Sequence, residues 1–379
     1  MKDYDYIILG AGASGLMLAY RMASDLFFDN KSILILDKDT DKGNDRTWSY
    51  WEEGLGEWDD IIYKTWDCVF FSDKSFSEII NISPYCYKMI RSETFYKKMW
   101  NKINTKSNVE FINTSVLNHK IVDNKVLVTT TLKSFSANKV FNSLPNTSYL
   151  KQDKYPVLQQ HFIGWFIKTK VDTFDDTTAT FMDFSVPQKG NTRFMYVLPM
   201  DKQTALFEYT LFSKDLLEVS EYEDAIKYYL KENGINDYEI IETEKGSIPM
   251  TSYNFTELNT SNIFNIGTAG GWTKASTGYT FRSTTKKTKD IVKLLKSGKD
   301  ISKYKSKSKF WFYDLLFLDV LANHNESGST LFSSLFKKTN VKTIFRFLDE
   351  ESNLWEDFKI ITSVPSKNFI SALFKRLFK

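Results

Sequence analysis

Gly10-Ala11-Gly12-Ala13-Ser14-Gly15 carries the glycine spacing that lets a backbone cradle a pyrophosphate, and an acid, Asp37, follows about twenty residues later. In that spacing Gly10 permits a tight turn, Gly12 lets phosphate oxygens reach the backbone, and Gly15 lets a helix close on a strand. The flanks are of the required types. Apolar Tyr6-Ile7-Ile8-Leu9 reads as a buried parallel strand, 16–22 as a helix, and 32–36 as a second strand ending at Asp37. The helix would aim unpaired N–H groups and its positive dipole end at the phosphates, while Asp37 would accept hydrogen bonds from ribose hydroxyls. A dinucleotide is expected, and the position of the motif at the extreme N-terminus favours FAD over NAD. The alternative is a glycine-rich turn selected for packing alone.

Few other residues offer obvious chemistry. His119, His161 and His324 show no His-Glu-x-x-His spacing, which argues against a metal site. Cys68 and Cys86 are too far apart for Cys-x-x-Cys chemistry and too few for a disulfide scaffold, so a reducing interior is expected. After Asp37 the chain runs into Lys42-Gly43-Asn44-Asp45-Arg46-Thr47-Trp48-Ser49-Tyr50-Trp51-Glu52, a mix of polar and aromatic residues that a solvated loop seldom has. Glu208 lies in Ala205-Leu206-Phe207-Glu208-Tyr209-Thr210, whose alternation reads as a strand placing Glu208 on one face with Leu206 and Thr210. Read alone, it is a surface glutamate on a half-buried strand.

These residues must be positioned by a chain of 379 residues, long enough for two or three units. At 42% hydrophobic and 26% charged, with 7 Pro and 16 Gly, it is neither disordered nor collagenous. A net charge of only +3 predicts no nucleic-acid partner. The expected fold is α/β: an FAD-binding Rossmann-like domain with an inserted antiparallel-sheet substrate domain and a C-terminal helical segment. The FAD-binding domain takes 1–150, drawn mainly from about 1–80 and 88–150, and its return segment takes 257–300. The substrate domain takes 151–256, with strands near 162–169, 193–198 and 205–211 and a helix at 222–233. Residues 286–309 hold ten Lys, read as a solvated helix and loop. The start lacks the positive charge of a signal peptide, and no apolar run reaches the ~18 residues of a spanning helix. A cytoplasmic location is expected, with any membrane contact peripheral and on the inner face.

Seven ordered segments carry a resemblance. Asn44-Asp45-Arg46-Thr47-Trp48-Ser49-Tyr50-Trp51-Glu52 resembles the signature of the flavin-dependent lycopene cyclases of bacterial and plant type. Tyr87-Lys88-Met89-Ile90-Arg91-Ser92 resembles the family's Ile-Arg segment before a helix of the flavin domain. Gln160-His161-Phe162-Ile163-Gly164-Trp165 and Thr180-Phe181-Met182-Asp183-Phe184 resemble the start of its substrate domain. Tyr196-Val197-Leu198-Pro199, with 205–210, resembles the segment holding its essential acid. Gly246-Ser247-Ile248-Pro249-Met250 and Gly267-Thr268-Ala269-Gly270-Gly271-Trp272, through Thr277-Gly278-Tyr279, resemble the return to the flavin domain.

The resemblance implies a redox-neutral cyclisation of lycopene ends to β-ionone rings, with FAD reduced by NAD(P)H. A general acid protonates the terminal double bond, the neighbouring alkene attacks the cation, and a ring proton is lost. Glu208 is the implied acid and Asp183 a second candidate, whose bland alternative is strand-end hydrogen bonding. The implied cofactor contacts are Gly10, Gly12, Gly15, Asp37, Arg46, Thr47, Arg91, Val116, Gly267, Thr277 and Gly278. Trp48, Trp51, Trp165, Tyr196 and Trp272 are candidates for cation–π stabilisation, each equally readable as core. The family's ribityl-contacting Asp is here Thr268, and Ala275 replaces its usual Pro. A helix beginning at Thr277-Gly278 would point at the flavin. The Phe-rich end, 368–379, places Phe369, Ile370, Leu373, Phe374, Leu377 and Phe378 on one helical face, with Lys375, Arg376 and Lys379 toward the other. That suits a membrane-surface helix taking a carotene from a bilayer; packing on the core is the alternative. Competing functions on this scaffold are a flavin monooxygenase, a prenyl or polyene reductase, or a polyene-binding flavoprotein.

Overall fold

The computed structural model describes residues 1–304 and 308–378. The apolar N-terminal run forms β1 (Lys2–Leu9), buried along its second half, and turns through the glycines into α1 (Ala13–Ala23). β2 (Ile33–Asp37) pairs with it in parallel, as β-branched and leucine side chains buried on both faces require. The first sheet runs β8 (Val109–Asn113), β2, β1, β11 (Ser134–Asn142). The far edge of β11 is shared: β10 (Lys125–Thr130) and then β9 (Val116–Val122) extend it antiparallel, while the short β17 (Ile263–Asn265) pairs with it in parallel at Val140–Asn142. β17 and α4 (Phe281–Lys296) thus return to the dinucleotide domain from far along the chain. Helix α4 lies on α1, with Ile291, Val292 and Leu295 meeting the apolar face of Leu16 and Met17, and Arg21 Nε donates to Thr288 at 2.8 Å.

A second sheet runs β16 (Tyr238–Met250), β12 (Leu158–Thr169), β15 (Thr204–Ser213), β14 (Thr192–Pro199), β13 (Thr178–Asp183), β5 (Cys68–Ser72), β6 (Ser77–Asn81). It is antiparallel except where β13 meets β5. This corrects one expected boundary, since residues 68–81, placed with the first domain, extend the second sheet. Val69 and Phe71 alternate into its core, and β13 offers a free edge for the run to pair with. α3 (Val219–Glu232) covers one face through Tyr222, Ile226 and Leu230. The other face meets a small sheet of β3 (Thr47–Glu53), β4 (Lys64–Trp66) and β7 (Tyr85–Arg91), which leads into α2 (Ser92–Ile103).

The C-terminal stretch folds into α5 (Lys309–Asn323), α6 (Gly328–Lys338), α7 (Val341–Leu348), α8 (Leu354–Ser363) and α9 (Ser366–Leu377). Its phenylalanines roof the second sheet: Phe345 stacks on Trp51 at 4.6 Å and Phe336 on Phe71 at 4.2 Å. Helix α9 touches the body through buried Ala372 and an Arg376–Asp319 ion pair at 2.7 Å, so Arg376 faces α5. Ile370, Phe374, Leu377 and Phe378 stay exposed, as do Leu354, Trp355, Phe358 and Ile361 of α8. Lys379 of the tail and Lys305 and Lys307 of the lysine run lie outside the described residues. Among the described residues no helix is long and apolar enough to cross a membrane.

Candidate active site

The strand register builds the site. In antiparallel neighbours, directly opposed residues point to the same face. Glu208 of β15 opposes Tyr196 of β14 on one side and Gly164 of β12 on the other, and Gly164 in turn opposes Glu244 of β16. One polar row, Glu244–Gly164–Glu208–Tyr196, therefore crosses a face otherwise made of Phe166, Leu206, Leu198, Phe194 and Phe212. Two strand spacings put the glutamate backbones roughly 10 Å apart, and long side chains can bridge that gap only if the residue between them is bare. A Cβ on Gly164 would sit 2.9 Å from Leu206 Cδ1 and 3.2 Å from Glu244 Cγ. The two carboxyl groups come within hydrogen-bonding reach of each other.

Each carboxyl is also held at its other end. Thr210 donates to Glu208 Oε1 at 2.6 Å, and Thr47 of β3 donates to Glu244 Oε2 at 2.8 Å. Arg91, buried at the end of β7, donates to Thr47 at 3.3 Å, pairs with both oxygens of Glu242 at 2.6 Å, and lies 4.2 Å over the Phe166 ring. Tyr87, Tyr196 and Tyr279 ring Glu208, and the hydroxyls of Tyr196 and Tyr279 are 3.5 Å apart. Burial first, then the charge of Glu244, pushes the Glu208 carboxyl up to about 8. Burial also raises Glu244, while Thr47 and Arg91 draw it back. Glu208, Glu244 and Tyr279 nevertheless keep some accessible surface. The row thus supplies a neutral carboxylic acid at neutral pH in an aromatic, water-poor setting.

Asp183 lies on the opposite face. It accepts from Tyr229 of α3 at 2.7 Å and from the Ser185 amide at 2.9 Å, which is strand-end hydrogen bonding. Its chain direction is turned by the irregular pairing of β13 between Thr180 and Asp183.

The implied cofactor contacts gather in two places. Gly12 caps α1 with no side-chain cap and no acid in the first turn, and a Cβ added there would meet nothing within 4 Å, so the helix end is an open anion cradle. Gly10 and Gly15 shape its turn, and Gly267 reaches it, since a Cβ on Gly267 would lie 2.4 Å from Ser14 Oγ. Asp37 also braces this loop. One carboxylate oxygen accepts the Ala11 amide at 2.5 Å and Lys42 at 3.0 Å, and the other accepts the Asp39 amide at 2.8 Å, so its first task is to pin the glycine loop. Val116 starts β9 just beyond Thr114, whose amide bonds Asp37 O at 2.9 Å. Arg46 is exposed on the loop.

Thr277 and Gly278 do not begin a helix. They sit in a turn closed by the Gly278 amide on Lys274 O at 2.8 Å, and α4 starts at Phe281. Gly278 has a left-handed φ of 74°, which a helix does not continue, and a Cβ there would lie 2.3 Å from Gln160 Oε1 of β12. Thr277 Oγ1 and Gln160 Oε1 are both buried without a partner. Orphaned polar atoms beside an open phosphate cradle fit a ligand with an anionic pyrophosphate and a polar ring edge. Trp48 stacks on Phe281, Trp165 joins the α3 face and Trp272 the dinucleotide core, so of the tryptophans considered only Trp51 neighbours Tyr279, at 4.9 Å.

Glu244 is the functional residue the sequence reading passed over. In β16, Glu242, Glu244, Gly246 and Ile248 are partly buried while the residues between them are exposed. That period-two burial emerges only in the sheet, since Glu242-Thr243-Glu244-Lys245 is polar throughout in the sequence.

Solved structures share this fold at low identity. A geranylgeranyl bacteriochlorophyll reductase-like protein from Thermoplasma acidophilum is 11% identical with a TM-score of 0.62, covering 99% of this chain and 98% of its own. A flavoprotein/dehydrogenase from Cytophaga hutchinsonii is 12% identical with a TM-score of 0.60, covering 99% and 100%. A flavin-dependent brominase is 13% identical with a TM-score of 0.57, covering 99% of each chain. The architecture is that of the FAD-dependent flavoproteins. Within that class the chain belongs to the lycopene cyclase protein family, whose pattern matches residues 5–374. No curated protein matches it at a significant level. Family and fold together define a carotenoid-related enzyme of flavoprotein type.

Proposed function

We propose that this protein is a lycopene β-cyclase, closing β-ionone rings at the ends of lycopene by proton-initiated, redox-neutral cyclisation. The observation that carries the reading is Glu208: a carboxyl ringed by Tyr87, Tyr196 and Tyr279 and pushed up to about 8, in the segment that resembles the one holding the family's acid. Glu208 donates its proton to the terminal alkene. The Tyr87, Tyr196, Tyr279 and Trp51 faces stabilise the tertiary cation by roughly 1–2 kcal/mol each when desolvated. The neighbouring alkene attacks, and loss of a ring proton gives the product. FAD would be held by Gly10, Gly12, Gly15, Gly267 and the Thr277–Gly278 turn, and when bound and reduced by NAD(P)H it would supply negative charge that favours a cation. Expression in a lycopene-accumulating host with pigment chromatography tests this: β-carotene is expected. A saturated product, or oxygen uptake with a hydroxylated one, would replace the reading with a reductase or monooxygenase.

A peripheral membrane partner completes it. Leu354, Trp355, Phe358 and Ile361 of α8 and Ile370, Phe374, Leu377 and Phe378 of α9 are all exposed apolar side chains, and Lys359, Lys367 and Lys375 stand on the same two helices. Phe374→Ser with Phe378→Ser should weaken sedimentation with anionic liposomes about tenfold, given that interfacial burial yields part of the ~1.5–3 kcal/mol of full burial. Unchanged sedimentation would remove the membrane from the proposal.

A further inference from the structure

We infer that Glu244 is the positioning partner of the acid: Glu208 and Glu244 hold one proton between them across the bare backbone of Gly164. The inference rests on the cyclisation reading of this site and explains how the reaction stays proton-neutral. As the O–H bond of Glu208 breaks, a C–H bond forms on the terminal alkene carbon and the chain becomes a cation. Two carboxylates then face each other. Like charges side by side in a water-poor recess are unfavourable, so the pair becomes a strong base. The neighbouring alkene attacks the cation, its π electrons forming the ring C–C bond and leaving the charge on a ring carbon. An adjacent ring C–H bond then breaks, its electrons form the ring double bond, and the proton returns to the pair. One proton leaves and one comes back, with no oxidant or reductant consumed.

Geometry assigns the members. Thr47 donates to Glu244 and Arg91 lies behind Thr47, which favours charge on Glu244 and the proton on Glu208. Arg91 is itself neutralised by Glu242 at 2.6 Å. The other groups facing the pair are Thr210 of β15, Tyr87 of β7, Tyr196 of β14 and Tyr279 of the return segment. His161 points to the other face, onto Tyr222 and Ser213. Lysine and arginine other than Arg91 are absent from the interactions that shift either carboxyl. Gly164 completes the device, because a Cβ there would meet Glu244 Cγ at 3.2 Å and Glu208 Cβ at 3.6 Å.

Three variants of the flavin-loaded enzyme test the inference. In the wild type, cyclisation should fall as pH rises through about 8, where Glu208 loses its proton. Glu244→Gln removes the like charge and keeps the shape, so this alkaline limb should move down by about one pH unit or more. Gly164→Ala, which wedges the pair apart while keeping both acids, should move it in the same direction. A limb that stays in place in both variants overturns the inference. Infrared spectroscopy of the substrate-free protein supplies a readout independent of turnover. A protonated-carboxyl band should titrate near pH 8, vanish in Glu208→Gln, and titrate at lower pH in Glu244→Gln. A protein that shows this band but cyclises nothing would sink the cyclase reading and keep the pair; one that cyclises without it would sink the pair.

Discussion

Two acidic clusters lie on either side of Tyr279, and they handle charge in opposite ways. On one side, Glu208 meets Glu244 with no cation in direct contact. On the other, a cavity of about 360 Å³ lined by Trp51, Tyr279, Lys274 and Asp314 is threaded by opposite-charge pairs. Lys274 stands 2.9 Å from Asp314, both side chains 6% exposed, and Arg282 bridges Asp349 at 2.6 Å and Glu52 at 2.8 Å. Burial raises Asp314 as it raises Glu208, but Lys274 pulls Asp314 back, whereas Glu244 adds to the rise of Glu208. Burial therefore accompanies a fixed ion pair in one place and a stored proton in the other. The difference is the sign of the nearest neighbour.

The sharpest break in this comparison comes from Glu208→Gln. An amide keeps the hydrogen bond from Thr210 but has no acidic proton, so turnover should fall by about 100- to 10,000-fold with flavin retained; near-normal pigment conversion would move the acid elsewhere. Stability should change in the opposite sense. The folded Glu208 holds its proton to about pH 8 while the unfolded one releases it near the ordinary Glu value. The native state thus binds more protons between these limits, and its stability falls as pH rises across them. Glu208→Gln should flatten that slope in denaturant titrations.

Asp314→Ala should show the reverse profile. It leaves Lys274 buried with only the more distant Glu350, 3.5 Å away and 42% exposed, so unfolding free energy should drop by roughly 3 kcal/mol with the alkaline limb of turnover unmoved. A shifted limb with intact stability would mean that the two clusters communicate through Tyr279.

Asp183→Asn should have the smallest effect. Losing the charge on the Tyr229 and Ser185 contacts should cost about 1–2 kcal/mol, with turnover within about twofold of the wild type in the same pigment assay.

Which parts of this were legible beforehand follows from how local the signals are. The glycine loop, β1 and β2 announce themselves in a contiguous stretch, because the turn and the parallel strand each need particular residues at fixed offsets. Glu208 and its face were readable from alternation in a single strand. Glu244 was not singled out, because its meeting with Glu208 depends on register across three strands that are distant in sequence. The true start of α4 was also missed: Thr277 and Gly278 close a turn onto Lys274 O with Gly278 at a left-handed φ, and the helix begins only at Phe281. The assignment of 68–81 failed likewise, since strand type is local but choice of sheet is not. The aromatic excess, ambiguous as composition, resolves into stacked layers between the second sheet and α5–α7.

The shared edge of β11 carries a consequence for biogenesis. β17 takes its place beside Val140–Asn142 only after the whole second sheet has been synthesised, and α4 arrives later still. Until then the nascent dinucleotide domain has an open strand edge and α1 shows water the apolar side that Ile291, Val292 and Leu295 later cover. Closing so long a loop is entropically slow, and exposed edges are where partly folded chains associate. Emergence from the ribosome is therefore the stage at which this edge and this apolar face are open, and the cofactor cradle is completed only with the final third of the chain.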